Sequence, residues 1–141
     1  MKTFKELMPG DIIYRLQFQT QMDYNQDIIP YVENVDKFIV ASTEDEFIGE
    51  ENYREITYYN SKECNGCYIP NDIVDTDFWE ICRYNYNKEI GNGICYSTDK
   101  TLLIKKRKDI IKASRADIEK ELNKIRKVEK QLLNILEDVK Q

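Results

Sequence analysis

"PGDIIYRLQFQ", residues 9–19, decides how the front of this chain is read. Pro9-Gly10-Asp11 is a turn: proline presets φ, glycine takes conformations other residues resist, and aspartate bonds the bent backbone. Behind the turn, apolar and polar residues alternate. Ile12, Tyr14, Leu16 and Phe18 fall on one face, while Arg15, Gln17 and Gln19 face away. That period of two is a half-buried strand. Just upstream, Thr3 and Glu6 have the spacing of a capping box, so a short helical turn precedes the strand.

Similar pieces recur downstream. "IIPYVENV" reads as an edge strand, because Pro30 cannot donate to a ladder. "KFIVAS" is short and β-branched, a more buried strand. "STEDEFIGEEN" reads as an acidic loop. In "YREITYYN", Ile56 and Tyr58 share one face and Tyr53, Thr57 and Tyr59 the other. "FWEICRYNY" and "ICYS" are strand-like, with "GNG" at 91–93 as a turn between them, and Asn71 to Asp75 as a capped turn. Short strands separated by turn signals make a small antiparallel barrel or sheet.

The composition changes near residue 97. No glycine or proline follows Gly93, and no aromatic residue follows Tyr96. Residues 1–97 carry 8 Lys+Arg against 18 Asp+Glu, a net of −10; residues 98–141 carry 13 against 8, a net of +5. Ser97 or Thr98 suits an N-cap and Asp99 the first helical turn. Ile104, Ile111, Ile118, Ile125, Leu132 and Val139 then recur every seven residues. Their companions, Lys108, Arg115, Leu122, Glu129 and Leu136, are apolar only in part, and Val128, Leu133 and Ile135 widen the stripe. A continuous helix of about 42 residues would reach roughly 63 Å, with "SRAD" at 114–117 marking a place for a break. A head of about 97 residues has a radius of gyration near 13 Å and covers only part of such a rod. The expected fold is therefore α+β: a small antiparallel β-barrel or sheet head, residues 1–97, followed by a long amphipathic C-terminal helix, residues 98–141.

"TFKELMPGDIIY", residues 3–14, resembles the opening of small SH3-like barrels, where a Gly-Asp turn launches the first strand. Such a barrel followed by "YSTDK" and a Lys/Glu-rich helix is similar to small uncharacterised proteins of tailed phages and gut bacteria. The resemblance implies a mobile-element origin and no activity.

Cys64 and Cys67 form a C-x-x-C in "SKECNGCYIP". Structural zinc usually takes four ligands in two such knuckles. Here Cys82 and Cys95 stand singly, 13 residues apart in stretches that read as adjacent strands. Zinc would need all four cysteines, since the chain has no histidine. The competing reading makes Cys82 and Cys95 small core residues and "NSKECNGC" a polar loop, and it is the one adopted: no metal and no cofactor are expected. A redox pair would want a helix N-terminus, which Pro70 discourages.

The absence of histidine removes Ser-His-Asp, Cys-His and His-based metal catalysis. No phosphate loop occurs, and "GNG" lacks the rest of a dinucleotide fingerprint. The chain is expected not to be an enzyme. "KKRK", Lys105 to Lys108, has charge for phosphates but no interleaved aromatics for stacking, so it reads as a solvated or head-contacting face and no nucleic-acid binding is expected. No apolar run approaches the roughly 20 residues that span a bilayer. The opening lacks an apolar signal core, so a cytoplasmic protein with reduced thiols and no membrane association is expected.

The expected function is protein binding or assembly. The helix associates with copies of itself through Ile118, Leu122, Ile125, Leu132, Leu136 and Val139, a homo-oligomer in coiled-coil fashion, and the acidic, Tyr-rich head meets a protein partner. The alternative is an acidic inhibitor or decoy of a nucleic-acid-binding protein, charge-driven and therefore strongly salt-dependent.

Overall fold

The structure is a computed structural model, describing residues 1–19, 31–48, 51–83 and 92–140. A 3-10 turn at Phe4–Glu6 opens the chain, and Glu6 accepts from the Thr3 backbone N–H at 3.2 Å, as the capping spacing predicts. Strands β1 (Ile12–Gln19), β2 (Tyr31–Val32), β3 (Asp36–Ile48), β4 (Glu51–Tyr59), β5 (Cys64–Pro70), β6 (Phe78–Arg83) and β7 (Asn92–Ser97) lead into one helix, α1 (Lys100–Lys140). The strands pair antiparallel in the order β5-β4-β3-β1-β7-β6, with β2 also on β1. The sheet curls into a half-barrel, so the chain is α+β as expected. Gly10 supplies the turn before β1 with φ 94°, a region where a Cβ is strained.

The curl buries both faces of the central strand. Ile13 points into the concave core with Phe4, Leu7, Phe38, Val40, Ile56, Tyr58, Cys67, Ile69, Val74 and Tyr96. Leu16 and Phe18 point the other way, onto Leu103 and Ile110 of α1, with Cys95 beside them. This corrects the expected one-sided strand. Ile12 is exposed, whereas Arg15, expected to face away into solvent, is 3% exposed. An alternating strand at the centre of a sheet has two interiors, and Arg15 lies in one of them.

The segment 42–52 corrects a second expectation. Instead of an acidic loop, β3 continues to Ile48 and pairs with β4 from Ile39↔Tyr59 to Ile48↔Glu51, with a register shift between Val40 and Ser42. Its charges fall on alternate faces of the strand, and Glu44 and Asp45 are both exposed. Asp45 sits opposite Arg54, and their side chains meet at 3.2 Å. Arg54 also donates to Thr43 Oγ1 and the Leu7 carbonyl, both at 3.0 Å.

Gly93 is a strand residue rather than part of a turn. It lies in β7 opposite Phe18, and a Cβ there would stand 2.3 Å from the Phe18 ring and 2.9 Å from the Ile81 carbonyl. The glycine exists to let the ring in. Gly91 of the expected turn, Ile28 to Pro30 and residues 84–87 lie outside the described residues.

Helix α1 is unbroken through 114–117, so the break at "SRAD" is not taken. Ser114 Oγ instead donates back to the Ile110 carbonyl at 2.9 Å. The cap is Asp99, whose Oδ1 accepts from the Thr101 backbone at 2.9 Å. That bond and the one from the Thr101 hydroxyl, which comes first, hold the Asp99 carboxyl below its ordinary range. Ser97 and Thr98 tie the helix start to the head, donating to the Asp77 and Lys2 carbonyls at 2.6 and 2.5 Å.

Candidate functional site

Only the first turns of α1 rest on the head. Leu103 and Ile110 are buried against β1 and β7, Lys106 pairs with Glu80 at 3.0 Å, and Arg107 Nε donates to the Glu33 carbonyl at 2.8 Å. Two residues of the basic stretch thus meet the protein's own head. Beyond Ser114 the helix leaves the head, and every described residue from Arg115 to Lys140 is exposed. The expected interface residues all lie on this free section. Ile118 and Leu122 are exposed, as are Ile125 (60%), Leu132 (61%), Leu136 and Val139 (77%). Val128, Leu133 and Ile135 are exposed beside them. Of these, Ile125, Val128, Leu132, Leu133 and Leu136 make one open apolar patch together with Lys124 and Glu129.

The heptad read from Ile104 missed the residues that dock the helix. Leu103 and Ile110, one position earlier, are buried while Ile104 is exposed. Ideal helix geometry places Leu103, Ile110, Ile125, Val128, Leu132, Ile135, Leu136 and Val139 within about 60° of one direction around the axis. The docking residues and the bare stripe therefore point the same way, with Ser114, Asp117 and Glu121 interrupting the apolar face between Ile110 and Ile125.

A second surface lies on the convex side of β3, β4 and β5, which α1 does not reach. Glu44, Glu46 and Glu55 bring carboxylate oxygens within 4.8 Å of one another, and Glu44 stands directly opposite Glu55. Glu46, sharing a hydrogen bond with Glu55, pushes the Glu55 carboxyl up from its ordinary value. Tyr68 faces Glu55 across the strands, and its hydroxyl is pushed up by the Glu55 and Glu46 charges. Tyr53 packs edge-on against Tyr68 with ring centroids 6.4 Å apart, and its hydroxyl donates to Glu51. Tyr59 is also exposed. The head thus carries an acidic, tyrosine-bearing face.

The described cysteine side chains, Cys64, Cys67 and Cys95, are not gathered into one site. Cys64 and Cys67 are in strand β5 rather than a knuckle, three residues apart and so on opposite faces. Cys64 is exposed and Cys67 buried. Burial pushes the Cys67 thiol up to about 12, the reverse of what thiolate chemistry needs. Cys67 belongs to the concave core and Cys95 to the layer under the helix, on the other side of the sheet. β6 and β7 are neighbours, as the sequence suggested, with Cys82 opposite Gly93 and Cys95 opposite Glu80. The Cys82 side chain lies outside the described residues.

Sequence reasoning also missed the polar group inside the head. Arg15 donates to Glu63 at 2.5 and 3.3 Å and to Tyr58 Oη at 3.4 Å, lies 3.8 Å from Asp36, and sits over the Phe38 ring at 4.6 Å. Burial works against its charge, but the bonds to Glu63 and Tyr58 outweigh it and raise the Arg15 pKa. Arg15 in turn holds the Glu63 carboxyl below its ordinary value. Tyr58 and Tyr96 share a hydrogen bond of 2.7 Å, and burial first, then that bond, raises the Tyr96 hydroxyl. These bonds pin the half-barrel from inside, although among the described residues the buried Arg15 Nε has no hydrogen-bond partner. Only an arginine at a strand position of odd parity among apolar neighbours could have signalled this cluster.

Comparison with family models, with curated proteins and with solved structures finds no match. Among the described residues, no helix is long and apolar enough to cross a membrane.

Proposed function

We propose that this protein is a non-enzymatic assembly protein that self-associates through its C-terminal helix and presents its acidic, tyrosine-bearing head to a protein partner. The bare apolar face from Ile118 to Val139 carries the proposal. A monomeric helix has no reason to line up nine large aliphatic side chains in water, because each forgoes roughly 1.5–3 kcal/mol relative to full burial. The described residues of the head do not supply the cover, since their contact with α1 ends near Ser114. Light-scattering mass on the full chain across a concentration series tests it. A homo-oligomer, with a dimer as the smallest form, is expected. A strict monomer at high micromolar concentration overturns it.

The Glu44–Glu46–Glu55 cluster favours a second reading, an acidic decoy for a nucleic-acid-binding protein. Complexes held by such charge weaken steeply between low and moderate salt as the Debye length shortens to roughly 10 Å at 0.1 M. A head complex captured from the natural host that survives moderate salt supports the first reading; one that dissolves supports the second.

A further inference from the structure

We infer that the helix pairs with a second copy of itself antiparallel, so that two heads stand at opposite ends of a common rod. This rests on the self-association just proposed and specifies its geometry.

The first ground is steric. The head and the bare stripe share one face of α1, with Leu103 and Ile110 continued by Ile125, Leu132 and Val139. A partner helix seated on that face in parallel would carry its own residues 100–114, and its own head, into the space the first head fills. An antiparallel partner needs only the bare section, residues 115–140. That section is about 39 Å long at 1.5 Å per residue, and the partner's tip would stop where the head begins.

The second ground is charge in the seam. Arg115 and Glu129 are the polar residues among the companion positions of the bare section. In a parallel pair in register, Arg115 would face Arg115 and Glu129 would face Glu129, like charges held together in an apolar seam. Antiparallel packing sets unlike positions opposite each other. Ile118 then meets the partner's Leu136, Leu122 meets the partner's Leu132, Glu129 meets the partner's Ile125, and Arg115 meets the partner's Val139. No like charges oppose within the seam; on its exposed flank Arg126 meets the partner's Arg126 and Lys112 lies beside the partner's Lys140, contacts that water screens. Parallel packing would gain a flanking Glu121–Arg126 pair on each side, but exposed ion pairs contribute little and cannot offset an overlap of whole heads. The heads add to the preference: each carries −10, and the antiparallel arrangement sets them a rod's length apart, well beyond a Debye length.

The consequence is a bivalent object whose two acidic faces are held apart at fixed spacing, suited to bridging two copies of a partner.

The unaltered chain tests this. Protein grown in ordinary and in heavy nitrogen is mixed, treated with a short amine-reactive cross-linker, and mapped by mass spectrometry. Lys112 and Lys140 are both exposed. Within one helix they stand about 42 Å apart, out of reach. Antiparallel pairing brings Lys112 beside the partner's Lys140, so mixed-isotope Lys112–Lys140 links are expected. Mixed-isotope Lys140–Lys140 and Lys112–Lys112 links would show a parallel pair and overturn the inference while leaving self-association standing. A dimeric mass with no mixed helix links would place the interface on the head and overturn it. A monomeric mass would remove the underlying proposal, and the inference with it.

Discussion

Replacing Ile125 and Leu132 together by aspartate should abolish the oligomer while leaving the head folded. Both side chains are about three-fifths exposed on the isolated chain. Full burial of a large aliphatic side chain is worth roughly 1.5–3 kcal/mol, so covering what is exposed recovers about 1–2 kcal/mol each. Two positions on two chains make about 4–7 kcal/mol per dimer. At roughly 1.4 kcal/mol per decade, the dissociation constant rises about a thousandfold to a hundred-thousandfold. A carboxylate in the seam adds its own desolvation cost, so this is a lower bound. The monomer hardly notices: both positions point to water, and aspartate in an exposed helix costs only a few tenths of a kcal/mol more than leucine.

Light-scattering mass reports the association, and near-UV circular dichroism reports the head through Trp79 and the buried Tyr58 and Tyr96. Far-UV signal adds a third readout. Helices draw most of their stability from packing of an apolar face, so the bare section should lose helicity on dilution of the wild type and at all concentrations in the variant. An oligomer that survives both substitutions would refute the reasoning, as would a wild type whose mass and helicity are independent of concentration.

Gly93→Ala should destabilise the head by about 1–3 kcal/mol, the usual cost of overpacking, because its Cβ would stand 2.9 Å from the immobile Ile81 carbonyl as well as against Phe18; an unchanged urea midpoint would refute this. Brief alkylation of native protein followed by peptide mapping should modify Cys64 and spare Cys67 and Cys95, and elemental analysis should find no stoichiometric metal; one zinc per chain, lost with the fold on chelation, would contradict both. Glu63→Gln should lower stability at neutral pH. Arg15 depresses the Glu63 carboxyl, so the stabilisation is complete above the ordinary glutamate value and is lost as pH falls through the depressed one. The gap between wild type and variant should therefore close as pH falls below the ordinary glutamate range, and a gap constant with pH would count against the Arg15–Glu63 pairing.

What the sequence made legible is what depends on local chemistry. Gly10 and its neighbours specify their turn without help from distant residues, Thr3 and Glu6 their cap, and the seven-residue repeat its long helix. What it concealed depends on which surface arrives from elsewhere. Arg15 has the same alternating neighbours whether its face meets water or a second core. β3 runs through Glu44, Asp45 and Glu46 because β4 meets it across the ladder, with Arg54 opposite Asp45, a pairing that the run of acidic residues does not itself signal. Gly93 looked like turn chemistry because the demand on it comes from Phe18, far away in sequence. The apolar stripe was visible as a repeat, but its docking half was read one position off. Leu103 and Ile110 are chosen by the sheet, whereas Ile104 merely begins the more regular series.

The distribution of charge along α1 fits this division of labour. Residues 98–114 hold 6 Lys+Arg against 2 Asp+Glu and lie on or beside a head of −10, where Lys106 and Arg107 make direct contacts. Residues 115–141 hold 7 against 6, nearly neutral. Attraction to the head therefore acts only where the helix touches it and offers the distal section nothing to fold back for. A rod with one net sign would repel its own copy over its whole length, and at 0.1 M salt that repulsion would reach roughly 10 Å, about the spacing of packed helices. A near-neutral rod meets no such barrier. Exposed aliphatic area and absent repulsion coincide on the same 27 residues, and a second copy of the same section is the partner that both conditions suit.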